Sequence, residues 1–476
     1  MFKLFILFIY SFLYSIEAGA GTLGEIPKQI FNADLTDLKL LILSNSNEEN
    51  IQKLYSTFIS DLVSSGHEIT IKTYNRYSQE QDLQLFLYDE FFYNNIIILD
   101  IVTSDVQPSF PTSYVSKILD FIDRGGNLMI FVDTLDDQNF NIGENKGIIR
   151  LARECAGITF LPQNTRLLDV SIDGMGEPAN IFSKNCIESE AIFSLETCTN
   201  KGILYHGIGF LNNIPNNELI IPILTACHTC VSVNNSIKSK SPSFFGNYIS
   251  SSTGEEIGLI MSMQGRNGAR ATFSSDGKLC SNEAIKSNSG NFRFCRDIFL
   301  WSFQQKGLIK ITEILHKNTN DNSKTIIENY DDTLNYTVED TIHFSAKFYK
   351  FIDNKWEDYE SEDIQLEFTM LDPYIRTYLK KSTEDSQSST FSSTFKIPEV
   401  WGVYKFVINH KKIGFNTISY ESITTVRNFR HDQNERFIIS AMPYYSAFIL
   451  AIISFCYFTL LFFTQNDIYL RKCKNK

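Results

Sequence analysis

The C-terminal stretch limits what this chain can be. Tyr444 to Phe463 reads YYSAFILAIISFCYFTLLFF, 20 residues without a charge. As a helix it extends roughly 30 Å, the hydrocarbon thickness of a bilayer. Tyr444 and Tyr445 sit where an interfacial aromatic belt belongs. Beyond the span come Arg471, Lys472, Lys474 and Lys476 against one acid, Asp467. Excess positive charge on a short flank marks the cytoplasmic side. Met1 to Ala20 carries Lys3, an apolar run from Leu4 to Leu13 and then Ala18-Gly19-Ala20, the pattern of a cleavable signal peptide. The two ends together predict a type I membrane protein: a body outside the cytosol, one span at 444–463 and a cytosolic tail at 464–476.

The tail ends Lys472-Cys473-Lys474-Asn475-Lys476. Lys472 and Lys474 stand in the register of a K-x-K-x-x retrieval signal, which returns membrane proteins to the endoplasmic reticulum. A plain stop-transfer cluster needs only the positive charge. Within the span, the small residues Ser446, Ala447, Ala451 and Ser454 lie near one helical face. In lipid, helices associate through close packing and hydrogen bonds, so this face is the expected contact with another helix.

The body before the span divides by period. Leu38 to Leu43 is a short apolar run that suits a buried strand, and Ile51, Leu54, Tyr55, Phe58 and Leu62 follow at helical spacing. His67 to Lys72 alternates. Asn95 to Ile101 and Leu128 to Val132 are further buried runs, with Val115, Ile118, Leu119 and Ile122 between them on a helix face. Strands alternating with helices predict a doubly wound α/β domain with a parallel sheet covered on both faces, over 36–307. A β/loop insertion is expected at about 157–253. Glu256 to Met263 and Ala269 to Ser274 read as two strands joined by Gln264 to Gly268. From Ile342 to Val426 the period is two, which predicts an antiparallel β-sandwich over 308–430.

Net charge is −12, and no basic run occurs outside the tail, which argues against nucleic acid as a partner. No G-x-G-x-x-G or P-loop pattern follows any strand, and no H-E-x-x-H or G-x-S-x-G occurs, so no catalytic set, cofactor site or metal site is assigned. Asp133-Thr134-Leu135-Asp136-Asp137 follows a strand, but lacks calcium-loop spacing and reads as a solvated acidic loop. Seven of the nine cysteines precede the span, so at least one is left unpaired within the chain. Cys227-His228-Thr229-Cys230 has the C-x-x-C spacing of thiol–disulfide exchange, but β-like residues flank it where a redox site opens a helix. Zinc finds at most three nearby ligands there. Asn234 and Asn335 head intact N-x-[ST] sequons, candidate glycan sites on surface loops. From the residues alone, three classes stay open: a subunit of a membrane assembly, a lumenal oxidoreductase using Cys227 and Cys230, and a membrane-anchored glycan or cargo receptor.

Several stretches then occur in one order: DIQLEF at Asp363–Phe368, LDPYIRTYLKK at Leu371–Lys381, GVYKF at Gly402–Phe406, Gly414-Phe415, ERFI at Glu435–Ile438 and Pro443-Tyr444-Tyr445. Earlier come YDEF at Tyr88–Phe91, DRGG at Asp123–Gly126 and ARATFS at Ala269–Ser274. Together they resemble the family of 48 kDa subunits of the oligosaccharyltransferase complex. The resemblance covers nearly the whole body and the span; it is weakest from Gly157 to Thr253, where Cys227 and Cys230 depart from it. It implies a type I protein of the endoplasmic reticulum with a glutamine-amidotransferase-like first domain. It also implies a supporting role beside a catalytic, many-span subunit that moves oligosaccharide from dolichyl diphosphate to Asn of N-x-[ST]. The amidotransferase cysteine and histidine find no counterpart here, and Trp301, Trp356 and Trp401 are isolated rather than part of a W-W-D motif. Whether the first domain touches dolichol-linked oligosaccharide is left open by the resemblance.

Overall fold

The computed structural model describes residues 38–74, 83–88, 90–100, 110–133, 146–161, 165–169, 181–193, 202–212, 217–234, 250–319, 325–327, 335–352, 355–382, 390–433 and 439–474. The expected signal peptide and Thr134 to Asp137 lie outside them. The chain folds as a sheet-rich body followed by one long apolar helix.

The first half is built on a nine-stranded sheet. β1 (Leu38–Ser44), β2 (His67–Thr73), β3 (Asn95–Asp100) and β4 (Asn127–Val132) run parallel in the order β2-β1-β3-β4. These strands are apolar at successive residues because both faces are covered. Leu40, Ile42, Ile97, Leu99, Met129 and Phe131 pack with Ile51 of α1 (Glu48–Leu54) and with Phe58 and Leu62 of α2 (Ser56–Ser64). Their sequence neighbours Leu41, Leu43, Ile96, Ile98, Leu128 and Ile130 pack on the opposite face. There they meet α3 (Thr112–Asp123) and α4 (Lys146–Ala156). The period-two reversal of side chains along each strand thus feeds two separate cores.

The other half of this sheet is antiparallel, unlike the parallel sheet that the strand–helix alternation predicts. β5 (Ile158–Phe160), β7 (Phe210–Asn212) and β8 (Ile220–Thr225), with β6 (Thr165–Asp169) set apart in a small sheet, come from the stretch expected as an insertion. That small sheet pairs β6 with β9 (Cys230–Asn234), which also pairs β10 (Ser250–Thr253). β11 (Ile257–Gln264) and β12 (Arg270–Ser274) form a hairpin, and β12 also pairs in parallel with β4. The short link at Gly265 to Ala269, closed by Gly265 N donating to Ala269 O at 2.8 Å, allows only an antiparallel partner. β7 and β8 then extend the antiparallel half from β11. α5 (Asn282–Ser287) and α6 (Ser289–Ser302) return over the first core.

In the second half two sheets share one core. One has the order β14 (Thr325–Ile327), β13 (Leu308–Asn318), β16 (Thr341–Ile352), β21 (Thr390–Lys396), β20 (Lys380–Lys381), with β17 (Lys355–Asp358) on β16. The other has the order β15 (Asn335–Thr337), β23 (Ile418–Arg427), β22 (Gly402–His410), β18 (Gln365–Thr369), β19 (Pro373–Tyr378). Alternation buries Ile342, Phe344, Ala346 and Phe348 along β16, and Tyr404, Phe406 and Ile408 of β22 share their core. The pairs are antiparallel except β15 with β23, which run parallel.

The two halves are joined by hydrogen bonds that no local pattern announces. Trp301 Nε1 donates to Gly414 O at 2.6 Å, and Gln264 Nε2 to Phe415 O at 2.8 Å. Asn416 brackets the first residues of β13, its Nδ2 donating to Ile309 O at 3.1 Å while its Oδ1 accepts from Ile309 N. Gly307 turns the chain between the halves at φ +70°, and a Cβ there would lie 2.7 Å from Gly414 O.

Candidate functional sites in the anchor helix, the strand ends and the cysteine loop

The last element, α7 (Met442–Lys474), is a single helix of 33 residues. It runs past the expected limit of 463 and carries the tail through Lys474 as helix. Ser446, Ala447, Ala451 and Ser454 are all exposed. The Ser446 hydroxyl donates to Pro443 O at 2.8 Å, so it satisfies its own helix rather than reaching outward. Ala447, Ala451 and Ser454 at spacings of four and three remain as the flat face. Lys472 and Lys474 fall on the last turn. Mean hydropathy over the best window is 2.3, and none of that window is buried against the body.

The carboxyl ends of β1, β3 and β4 gather Ser44, Asp100 and Asp133, all buried. Asp133 is therefore not the solvated acid that its neighbours in sequence suggest. The segment Ser275–Lys278, leaving β12, fills the space above it. Gly277 lies so close that a Cβ would come within 2.8 Å of Asp133 N, and the Tyr55 hydroxyl donates to Gly277 O. Lys278 Nζ approaches Asp133 Oδ2 at 3.6 Å. Next to it, the Asp276 carboxylate accepts from His206 N and from Lys278 N, both at 2.9 Å. Burial nevertheless pushes the Asp276 pKa up to about 6, against the lowering effect of those bonds. Burial, and then the Asp133 and Asp276 carboxylates, raise the Tyr55 hydroxyl well above its ordinary range. The crevice where an α/β sheet receives ligands is thus occupied by the chain's own turn, whose Asp276 carboxylate and Gly277 carbonyl are hydrogen-bonded to the surrounding chain.

The cysteine loop is a closed structure. Cys227 and Cys230 are joined in a disulfide, between β8 and β9, and Cys230 is fully buried. Asp169 lies within 4.8 Å of the two sulfurs, yet the bonded sulfurs offer no thiolate to a metal. Asp169 instead accepts from the Thr229 hydroxyl at 2.6 Å. No helix follows Cys230, so no helix N-terminus lowers a thiol pKa there. Cys280 and Cys295 form a second disulfide that ties α6 to the turn before α5. Cys186 is also disulfide-bonded. Cys155 keeps its thiol, which burial and then Asp123 push up to about 12, out of nucleophilic range.

Both sequon asparagines stand at strand ends rather than in the expected loops. Asn234 is the last residue of β9, paired with Thr165, and Asn335 the first of β15, paired with Thr425. One residue that sequence reasoning passed over is Arg270. Fully buried, it donates from Nη1 to Trp301 O and to Lys306 O, and from Nη2 to Gly307 O, the last two at 2.9 Å. Its guanidinium stacks 4.6 Å from the Trp301 ring, and burial draws its pKa down to about 9. It binds the end of α6 and the crossover to the second half at once. The signal for it was present in ARATFS, a lone arginine inside a buried strand.

Residues 32–305 match the profile described as OST48, N-terminal domain, and residues 316–466 match the OST48 middle domain. The chain belongs to the OST48 family. Among similar curated proteins, the dolichyl-diphosphooligosaccharide–protein glycosyltransferase 48 kDa subunit of Arabidopsis thaliana is 28% identical over 446 residues, covering 90% of this chain and 93% of the relative. The proteins of that name from Danio rerio (27%, 92% and 94% covered) and Drosophila melanogaster (26%, 91% and 92%) match over similar lengths. The OST48 match runs through Gly157 to Thr253, the stretch with the weakest resemblance, and includes Cys227 and Cys230.

Proposed function

We propose that this OST48-family chain is a single-span, non-catalytic subunit of the oligosaccharyltransferase complex. It supports transfer of the oligosaccharide from dolichyl diphosphate to Asn of N-x-[ST] by holding other subunits in place. The observation that carries this is the match of both OST48 profiles along nearly the whole chain, through the apolar helix. The finer assignments rest on the same reading. The parallel order β2-β1-β3-β4, helices on both faces, supports a doubly wound, glutamine-amidotransferase-like domain at 36–307. The shared core of the two later sheets supports a β-sandwich at 308–430. On this reading the chain crosses the membrane once at 444–463 with its body in the lumen of the endoplasmic reticulum, Lys472 and Lys474 serve as the retrieval signal, and Asn234 and Asn335 are glycan acceptors. Its partners are the other subunits, the many-span catalytic one among them, and dolichol-linked oligosaccharide is a candidate contact of the body. The filled crevice above β1, β3 and β4 supports a structural rather than a catalytic role for the first half.

Depleting the chain and rescuing it with a tagged copy tests the reading. The expected result is underglycosylation of secreted proteins with loss of partner subunits on depletion, and recovery of those subunits with the tag. Normal site occupancy with one class of cargo retained would favour the receptor reading instead.

A further inference from the structure

One end of the second half is unlike the rest of its surface. Leu371 is 93% exposed, Trp401 65% and Val403 55%, with Tyr374 and Val400 also exposed. The strand register puts them together. Gly402 pairs with Val426 on β23, and Thr369 pairs with both Lys405 on β22 and Pro373 on β19. The turn at Leu371 and the start of β22 therefore share the end of the sheet from which the chain departs at Arg427. A Cβ on Gly402 would meet Met370 Sδ at 2.8 Å, which confirms how closely the two loops approach.

The same end is the one tethered to α7. Arg427 Nη1 donates to Gln433 Oε1 at 2.9 Å, and Arg430 N donates to the same oxygen at 3.0 Å, so the linker is folded back on the sheet end as far as Gln433. Ile439 opens the turn that leads into α7. Six residues of chain reach at most about 20 Å. The apolar tip and the first turn of the anchor, with Tyr444 and Tyr445, are thus confined to one neighbourhood. Tryptophan and tyrosine are enriched at the headgroup level of membranes, where an apolar ring meets water.

We propose that this tip rests on the bilayer surface, with Trp401, Leu371 and Val403 entering the headgroup region beside the anchor and fixing the tilt of the body. This goes beyond the subunit role and rests on α7 being the span. The charges at this end are mixed: Asp372 and Glu399 against Arg427 and Arg430. The contact is accordingly with uncharged, zwitterionic lipid and insensitive to salt, since no net basic patch seeks anionic headgroups.

Tryptophan fluorescence of the full-length chain in phosphatidylcholine vesicles brominated at upper acyl positions provides the test. Of the three tryptophans, Trp301 is buried and Trp356 half-buried, so the difference between wild type and Trp401→Phe reports Trp401. The proposal expects that difference signal to be blue-shifted and quenched by bromine in low and high salt alike. With Leu371→Asp and Val403→Asp together, both on exposed positions, it expects water-like, unquenched emission. Unquenched Trp401 in the wild-type chain would overturn it. So would a Trp401 that bromine does not reach but that becomes shielded from aqueous acrylamide in the intact complex, since another subunit then covers the tip. A wild-type chain that does not co-float with the vesicles would overturn the anchor as well.

Discussion

Replacing Arg270 by methionine tests whether the body owes its rigidity to one buried cation. The guanidinium donates to the carbonyls of Trp301, Lys306 and Gly307. At about 1.5–3 kcal/mol for each hydrogen bond from a charged group, these contribute roughly 5–9 kcal/mol. Against them stands the cost of burial, which draws the pKa down to about 9 and corresponds to roughly 5 kcal/mol. Methionine removes both terms. Trp301 O still receives Gln304 N and Gly307 O still receives Asn416 N, whereas Lys306 O loses its charged donor at a further cost of about 1–3 kcal/mol. The net expectation is a destabilisation of about 3 kcal/mol, or about 4–5 °C in the apparent melting temperature of a body this size. The assay is a fluorescence melt of the full chain in detergent, in which Trp301 reports the junction. Arg270→Lys is expected to be at least as damaging as methionine. It keeps the buried charge but loses the planar fork and the stacking on Trp301. A melting temperature within about 2 °C of wild type for methionine, or rescue by lysine, would refute the reasoning.

Ala447→Leu with Ala451→Leu fills the flat face of α7, and the expected outcome is reduced co-purification of the other subunits with no change in membrane extraction. Intact co-purification would assign that face to lipid. Removing the Cys280–Cys295 bond, which closes a loop of 15 residues, is expected to cost about 3 kcal/mol. Cys227→Ser with Cys230→Ser, read by thermal melts and by rescue of glycosylation, closes a much shorter loop; it is expected to cost less and to restore site occupancy fully, whereas failure to rescue would revive the oxidoreductase reading. His316 is buried with its Nδ1 2.6 Å from the Tyr336 hydroxyl, and burial lowers its pKa to about 4. Its folded pKa lies below its unfolded value near 6.5, so its contribution is complete above pH 6.5 and is lost as pH falls toward 4. Asp276, with a raised pKa of about 6, acts oppositely and gains stability over nearly the same window. His316→Gln should therefore gain on wild type by up to about 3 kcal/mol as pH drops from 6.5 to 4, in melts run across that range.

What sequence could reveal follows the reach of each interaction. The strands β1, β3 and β4 were legible because burial on both faces writes an unbroken apolar run, and α7 because 20 uncharged residues have few other uses. The antiparallel half was harder. Ile158–Phe160 and Phe210–Asn212 are three-residue strands, and their place beside β11 depends on partners that are distant along the chain. β19 is hard to read for a related reason. It is an edge strand opened by Pro373, and Tyr374, Arg376 and Tyr378 on it are all exposed, so no apolar alternation marks it. Asp133 misled because an acid followed by polar residues looks solvated. Only the return of Gly277 from across the sheet buries it.

The same limit bears on the functional surface. An isolated tryptophan such as Trp401 carries no signal along the chain, and Leu371 stands thirty residues away from it. Their meaning arises when register places them at one end of a sheet and Arg427 holds the linker to α7 at that end. The junctions that hold this fold together, Arg270 between the halves and Gln433 on Arg427, are of the same kind. Each is a tertiary coincidence of residues that are individually unremarkable. A chain of this kind announces where it is anchored long before it announces what it touches.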